Sequence, residues 1–238
     1  MKNNRKALLL LLCAVLMVGA SVFGTLAYLT DTEAVTNTFS VGSVGLKLDE
    51  AHVNQQGQPL KDNAVVEDVE DADRWQPTEQ DPEQEYHLLP GHTYIKDPTV
   101  TVDAGSEESY IRMMVTVSFE NALTDEQLAT SLDNIFTGYD AAKWNRSEKT
   151  VSDDQKTITY EYRYHTTVDG KDDAGTNAER PLEPLFTAIE VPGEYTNEQI
   201  AFLGGMKIIV NAHAIQAAGF GTADLAWAAF DDQTSVNP

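Results

Sequence analysis

Five histidines are the residues best suited to carry chemistry in this chain, and their spacing argues against the commonest uses. A hydrolytic zinc site needs two histidines one helical turn apart with a glutamate between them as base. His52, His87, His92, His165 and His213 include no His-Glu-x-x-His, and Pro90-Gly91, a turn dipeptide, keeps His87 and His92 off a common helix. No Gly-x-Ser-x-Gly is present. Val41-Gly42-Ser43-Val44-Gly45 has a glycine on each side of its serine but lies in strand-like sequence, not on a strand-to-helix elbow. Asp169-Gly170-Lys171-Asp172-Asp173 gathers carboxylates, without the acidic twelfth position of an EF-hand calcium loop. No nucleophile, metal set or cofactor loop emerges, so the chain reads as a non-enzyme.

A second kind of chemistry is stacking. Tyr160, Tyr162 and Tyr164 alternate with Thr159, Glu161 and Arg163, and with Trp144 and Trp227 they are the rings that a polysaccharide-binding module would expose. The same spacing describes cross-strand packing in a sheet, and that is the expected use.

The elements that must hold these residues are mostly strands. Ile111, Met113, Val115, Val117 and Phe119 alternate with Arg112, Met114, Thr116 and Ser118, the period of two that buries one face of a long strand. Val44, Leu46 and Leu48 repeat it. The segment His92 to Val102 is also apolar, interrupted by Pro98, which requires an edge or a bulge. Ser152-Asp153-Asp154-Gln155 is a turn that returns the tyrosine strand onto Lys143 to Arg146, and Leu185–Val191 and Lys207–Gln216 read as two more strands. In the last, Ile208, Val210, Ala212 and Ala214 form an alanine-rich face that must meet something bulky or close.

Helical signals are brief. Thr124-Asp-Glu-Gln127 and Thr196-Asn-Glu-Gln199 have the capping-box spacing, and a third short helix is expected over Asp224 to Phe230. Asp49 to Tyr86 has twelve acidic residues against Lys61 and Arg74, several prolines and no sustained periodicity, which predicts a long mobile acidic insertion. Many short strands with few helices make the chain mainly β: an antiparallel jelly-roll-like β-sandwich with two or three short helices.

The first forty residues set the compartment. Lys2, Arg5 and Lys6 precede an apolar run from Ala7 to Val18, and small residues lead to a cut expected between Ala27 and Tyr28. Ala7 to Leu29 is uncharged and close to the ~20 residues that cross a bilayer, but Gly19, Ala20, Ser21, Gly24 and Thr25 thin its apolar density. Residues 1–27 are therefore read as a signal peptide and 28–238 as one domain carrying the insertion at 49–86. Cys13, the single cysteine, lies inside the leader after Leu12, which excludes a lipoprotein site and leaves a secreted chain with no thiol. The leader holds three of the sixteen basic residues and none of the thirty-eight acids, so net charge goes from −22 to −25 on cleavage. Such a surface repels nucleic acid and anionic membrane.

Ala27-Tyr28-Leu29-Thr30-Asp31, followed by Asn37-Thr38-Phe39-Ser40-Val41-Gly42-Ser43-Val44-Gly45-Leu46, resembles the start of the TasA/camelysin family of Gram-positive secreted proteins, whose leaders are removed by the signal peptidase SipW. Leu89-Pro90-Gly91, Ser109 to Met113, Pro184 to Thr187 and Asn211 to Phe220 resemble later family segments in the same order. The resemblance implies a jelly-roll subunit of an extracellular biofilm-matrix fibre, at the cell surface or in the matrix. Its freed N-terminal segment, here Tyr28, Leu29, Thr30, Asp31, Thr32 and Val35, is then a donor strand that completes the next subunit. The implied partners are like subunits, a SipW-type peptidase and matrix polysaccharide. The alternatives are a camelysin-type surface metallopeptidase and a polysaccharide-binding envelope module.

Overall fold

The computed structural model describes residues 30–33, 44–62, 64–78, 84–130, 135–196, 199, 203 and 206–235. Strands dominate: β1 (Thr30–Glu33), β2 (Leu46–Ala51), β3 (Leu60–Lys61), β4 (Ala64–Val65), β5 (Arg74–Trp75), β6 (Thr93–Ile95) and β7 (Thr99–Val102) come first. After them come β8 (Ser109–Ser118), helix α1 (Asp125–Thr130), β9 (Phe136–Thr137), β10 (Trp144–Val151), β11 (Thr157–Tyr164), β12 (Arg180–Pro181), β13 (Ala188–Glu190), β14 (Lys207–Gln216) and helix α2 (Ala223–Ser235). All strand pairings are antiparallel. The largest sheet has the order β1-β14-β8-β11-β10, the second β12-β7-β2-β5, the third β6-β13-β9, and β3 and β4 form a hairpin.

Alternation in β8 places Ile111, Met113, Val115 and Val117 in one core with Ile158, Tyr160 and Tyr162 of β11 and Leu46, Leu48, Val100 and Val102 of the second sheet. Each such side chain contributes about 1.5–3 kcal/mol relative to exposure, so the two sheets are held face to face as a β-sandwich. Ala212 and Ala214 are fully buried in that core. Pro98 separates β6 from β7, as a residue without a backbone N–H must. The turn after β10 is closed by Ser152, whose hydroxyl accepts from Thr157 N at 3.0 Å, and by Gln155 in the left-handed region at φ 56°.

Both capping boxes form. Thr124 N donates to Gln127 Oε1 at 2.8 Å while Gln127 N donates to Thr124 Oγ1 at 3.2 Å, and Thr196 and Gln199 repeat the exchange at 2.9 and 3.3 Å. The C-terminal helix is longer than the seven residues expected. The strand expected over Leu185–Val191 shrinks to Ala188–Glu190.

The insertion differs most from expectation. The sequence predicts a mobile loop from Asp49 to Tyr86; the structure places β3, β4, a 3₁₀ turn at Val69–Asp71 and β5 there, with β5 paired to β2. Its order comes from side chains that bond the backbone and one another. Asn54 Oδ1 accepts from Gln56 N and Gln58 N, Gln84 bonds both Val53 N and Ala51 O, and Arg74 bridges Asp49 and Asp97. Gly57 sits at φ 71°, where an added Cβ would lie 2.5 Å from Tyr94 Cα, so only glycine lets the insertion close onto the body.

Candidate assembly edge and the network behind it

β1 pairs with β14 in the register Thr30↔Ile215, Asp31↔Ala214, Thr32↔His213 and Glu33↔Ala212. Three of the expected donor residues, Thr30, Asp31 and Thr32, are thus in a strand at the border of the largest sheet; Ala27, Tyr28, Leu29 and Val35 lie outside the described residues. On its other side β14 pairs with β8 over its full ten residues, from Lys207↔Ser118 to Gln216↔Ser109. β1 covers only four of those ten positions. Removing β1 would leave the N–H and C=O groups on that side of β14 as an open template for another strand.

The opposite border is guarded differently. β10 is exposed from Asn145 to Thr150, and its register against β11 shifts between Arg146 and Glu148, with Ser147 as the extra residue. Ser147 Oγ donates to Glu161 Oε1 at 2.7 Å, and the Arg146 and Lys149 cations stand 5.9 and 5.4 Å from the Tyr160 ring. A bulge with alternating charges is a poor template for a second strand. The sheet therefore has one blunted border and one completed by a short N-terminal strand.

Behind the β1 border lies a feature the sequence did not reveal. Arg112 of β8, only 3% exposed, donates from Nε to His213 Nδ1 at 3.1 Å, and from Nη1 to Glu161 Oε2 at 3.2 Å and Asp231 Oδ2 at 3.1 Å. A second bond from Nη2 to Asp231 makes that pair bidentate. The guanidinium lies 4.5 Å from the Trp227 ring and 4.9 Å from that of Phe230, both on α2, while Phe230 stacks on His213 at 4.9 Å. One arginine thus joins β8, β11, β14 and α2. Arg112 belongs to the polar half of an alternating strand, so only the acidic tail of α2 signals its burial, and that tail is 119 residues away.

Burial first, and then the neighbouring Arg112 charge, lower the His213 imidazole to about 4, against an opposing pull from Asp231. An imidazole lowered on folding from 6.5 disfavours the proton in the native state. Its contribution is complete above about pH 6.5 and is lost as pH falls towards 4, with a total of about 3 kcal/mol. Over that window the wild type is expected to lose about 3 kcal/mol more unfolding free energy in urea titrations than His213→Gln. Parallel pH profiles of the two proteins would remove His213 as the source.

The remaining histidines are scattered. His92 tilts against Tyr94 and His165 against Tyr164, and the described residues contain no group of three or more His, Cys, Asp or Glu placed to hold a metal ion. Trp144, Trp227, Tyr160 and Tyr162 are buried, so these four rings present no stacking face to a sugar. No family model, curated protein or solved structure matches this chain.

Proposed function

We propose that this chain is a secreted structural subunit, of the TasA/camelysin kind, that assembles into an extracellular biofilm-matrix fibre by donating its N-terminal strand to the next copy. The observation that carries this reading is the pairing of Thr30–Glu33 with β14 at a sheet border, a few residues after the expected Ala27–Tyr28 cut. In this reading a SipW-type peptidase frees the donor, and a Gram-positive cell surface is where the jelly-roll subunits meet.

The same backbone hydrogen bonds form whether β1 comes from the same chain or from a neighbour, so exchange is nearly neutral in bond count. What separates the two states is distance and concentration. Ten residues, 34–43, join β1 to Val44, and a fully extended stretch of that length reaches at most about 33–36 Å. That tether gives the closed pairing an effective concentration in the millimolar range, so assembly requires crowding at the surface or conditions that screen the charge of −25. Head-to-tail donation is heterologous, and a rotation between copies that does not close into a ring makes filaments.

The test compares the chain beginning at Tyr28 with one truncated past Thr38. Electron microscopy is expected to show filaments only for the first. If both stay monomeric across acidic pH and millimolar calcium, the reading is wrong. Because the secreted chain has no cysteine, cross-linking can report the exchange directly. Facing residues of an antiparallel pair lie about 4.5–5.5 Å apart at Cα, within disulfide range. Asp31→Cys chains mixed with Ala214→Cys chains are expected to yield disulfide-linked heterodimers from filaments and none from monomers.

A further inference from the structure

The two halves of β14 are anchored differently. In residues 207–211, Ile208 and Val210 fill the sandwich core; in the half that follows, Ala212 and Ala214 reach the same core with single methyl groups. Apolar stabilisation scales with the area removed from water, so the alanine half is held more weakly from within. That half is the one β1 pairs with, from Ala212 to Ile215.

It is held from outside instead. His213 and Ile215 lie on the opposite face, where Phe230 of α2 stacks on His213 at 4.9 Å and Ile215 joins Ala226, Trp227 and Phe230 in a cluster separate from the sandwich core. Arg112, opposite His213 in the register of β8 and β14, ties that cluster to Asp231. Trp227 Nε1 is buried without a hydrogen-bond acceptor among the described residues, a cost that docking of α2 must overcome. The helix follows β14 through residues 217–222, where Gly219 turns the chain at φ 95°. It can therefore leave the sheet as a unit without opening the core.

We propose that docked α2 positions the acceptor strand: Arg112, Trp227 and Phe230 keep residues 212–216 of β14 ordered as the template for a donor. This rests on the reading of β1 as an exchangeable strand and adds what controls its capture. While a donor is away, the border of β14 has lost its bonds to β1 and keeps those to β8. A half-strand with only methyl groups on one face then depends on the aromatic cover of the other to stay in place. A template already in its bound shape captures a donor without the cost of ordering itself. With α2 undocked that half frays, and the acceptor is switched off while the sandwich core stays closed.

The acceptor for the test is the chain beginning at Tyr28 with Thr32→Pro, whose own β1 lacks an N–H for the ladder. The probe is a fluorescent peptide with the sequence of residues 28–35, followed by anisotropy. It is expected to bind, and Phe230→Ala or Trp227→Ala in the same chain to weaken it about tenfold. Asp231→Asn changes a largely exposed side chain and keeps the comparison valid if an aromatic variant unfolds; its expected weakening is about threefold. Phe136→Leu, in the third sheet, which is not paired with β14, is expected to lower global stability and leave peptide affinity unchanged. Hydrogen exchange of Phe230→Ala is expected to show the amides of residues 212–216 losing protection before those of 207–211. The positioning role is overturned by peptide affinity that all three α2 variants leave unchanged, by an equal weakening in Phe136→Leu, or by a uniform loss of protection along β14. No peptide binding with α2 intact would sink strand exchange and this role together, whereas binding insensitive to α2 sinks this role alone.

Discussion

Arg112→Ala is expected to cost about 4 kcal/mol of unfolding free energy and to release α2 from the sheet it covers. The magnitude follows from what the guanidinium holds. Removing one partner of a buried ion pair costs about 3–5 kcal/mol, because the other charge remains where water cannot reach it. Glu161 is 5% exposed and keeps Ser147 and Arg163 as partners, whereas Asp231 is largely exposed and rehydrates at little cost. Lost as well are the cation–π contacts with Trp227 and Phe230, each worth about 0.5–2 kcal/mol, and the donor to His213. Arg112→Lys is expected to recover only part, since one ammonium cannot reach three acceptors in a plane. Urea unfolding measures the total. Hydrogen exchange locates it, with the amides of α2 losing protection ahead of those of β8 and β14. A change below about 1 kcal/mol would mean that Trp227, Phe230 and Ile215 hold the helix without the arginine.

The sequence made the sheets legible wherever one strand carried its own evidence. Ile111 to Val117 alternate over a whole strand, and Ser152 to Gln155 form a turn whose side chains close on the adjacent backbone, so β8, β10 and β11 could be placed without knowing their neighbours. The two capping boxes are local in the same sense. What stayed hidden depends on partners distant in the chain. In the insertion, order comes from Arg74 reaching Asp49 and Asp97 and from Gln84 reaching back to Ala51 and Val53, none of which produces a periodicity. In α2, Asp231, Asp232 and Gln233 look like the polar end of a helix until Arg112 is set beneath them. For the candidate border, Thr30 and Thr32 are residues that favour strands, but only the register identifies β14 as the strand they complete.

The other large effect is expected at Lys96, the second buried cation. Its Nζ lies 2.9 Å from both Oε1 and Oε2 of Glu50, with the two side chains 3% and 7% exposed, and its charge faces the Tyr86 ring at 5.9 Å. Lys96 follows β6 and Glu50 belongs to β2, so the pair fastens the three-stranded sheet to the second one. Lys96→Met conserves volume and removes the charge. Glu50 is then buried without its ionic partner, which predicts a loss of about 3–5 kcal/mol. The double variant Lys96→Met, Glu50→Leu leaves no buried charge and no unsatisfied acceptor, and is expected to return to within about 1 kcal/mol of the wild type or to exceed it. The asymmetry between single and double variants separates a costly orphan from a stabilising bond. A double variant as unstable as the single one would show that the ion pair itself, and not the avoidance of an unpaired carboxylate, holds β6 against β2. Denaturant titrations at pH 7 of the wild type, the double variant and both single variants, Lys96→Met and Glu50→Leu, give all the terms of that cycle. The pH matters, because His213 is fully deprotonated there and adds the same contribution to each.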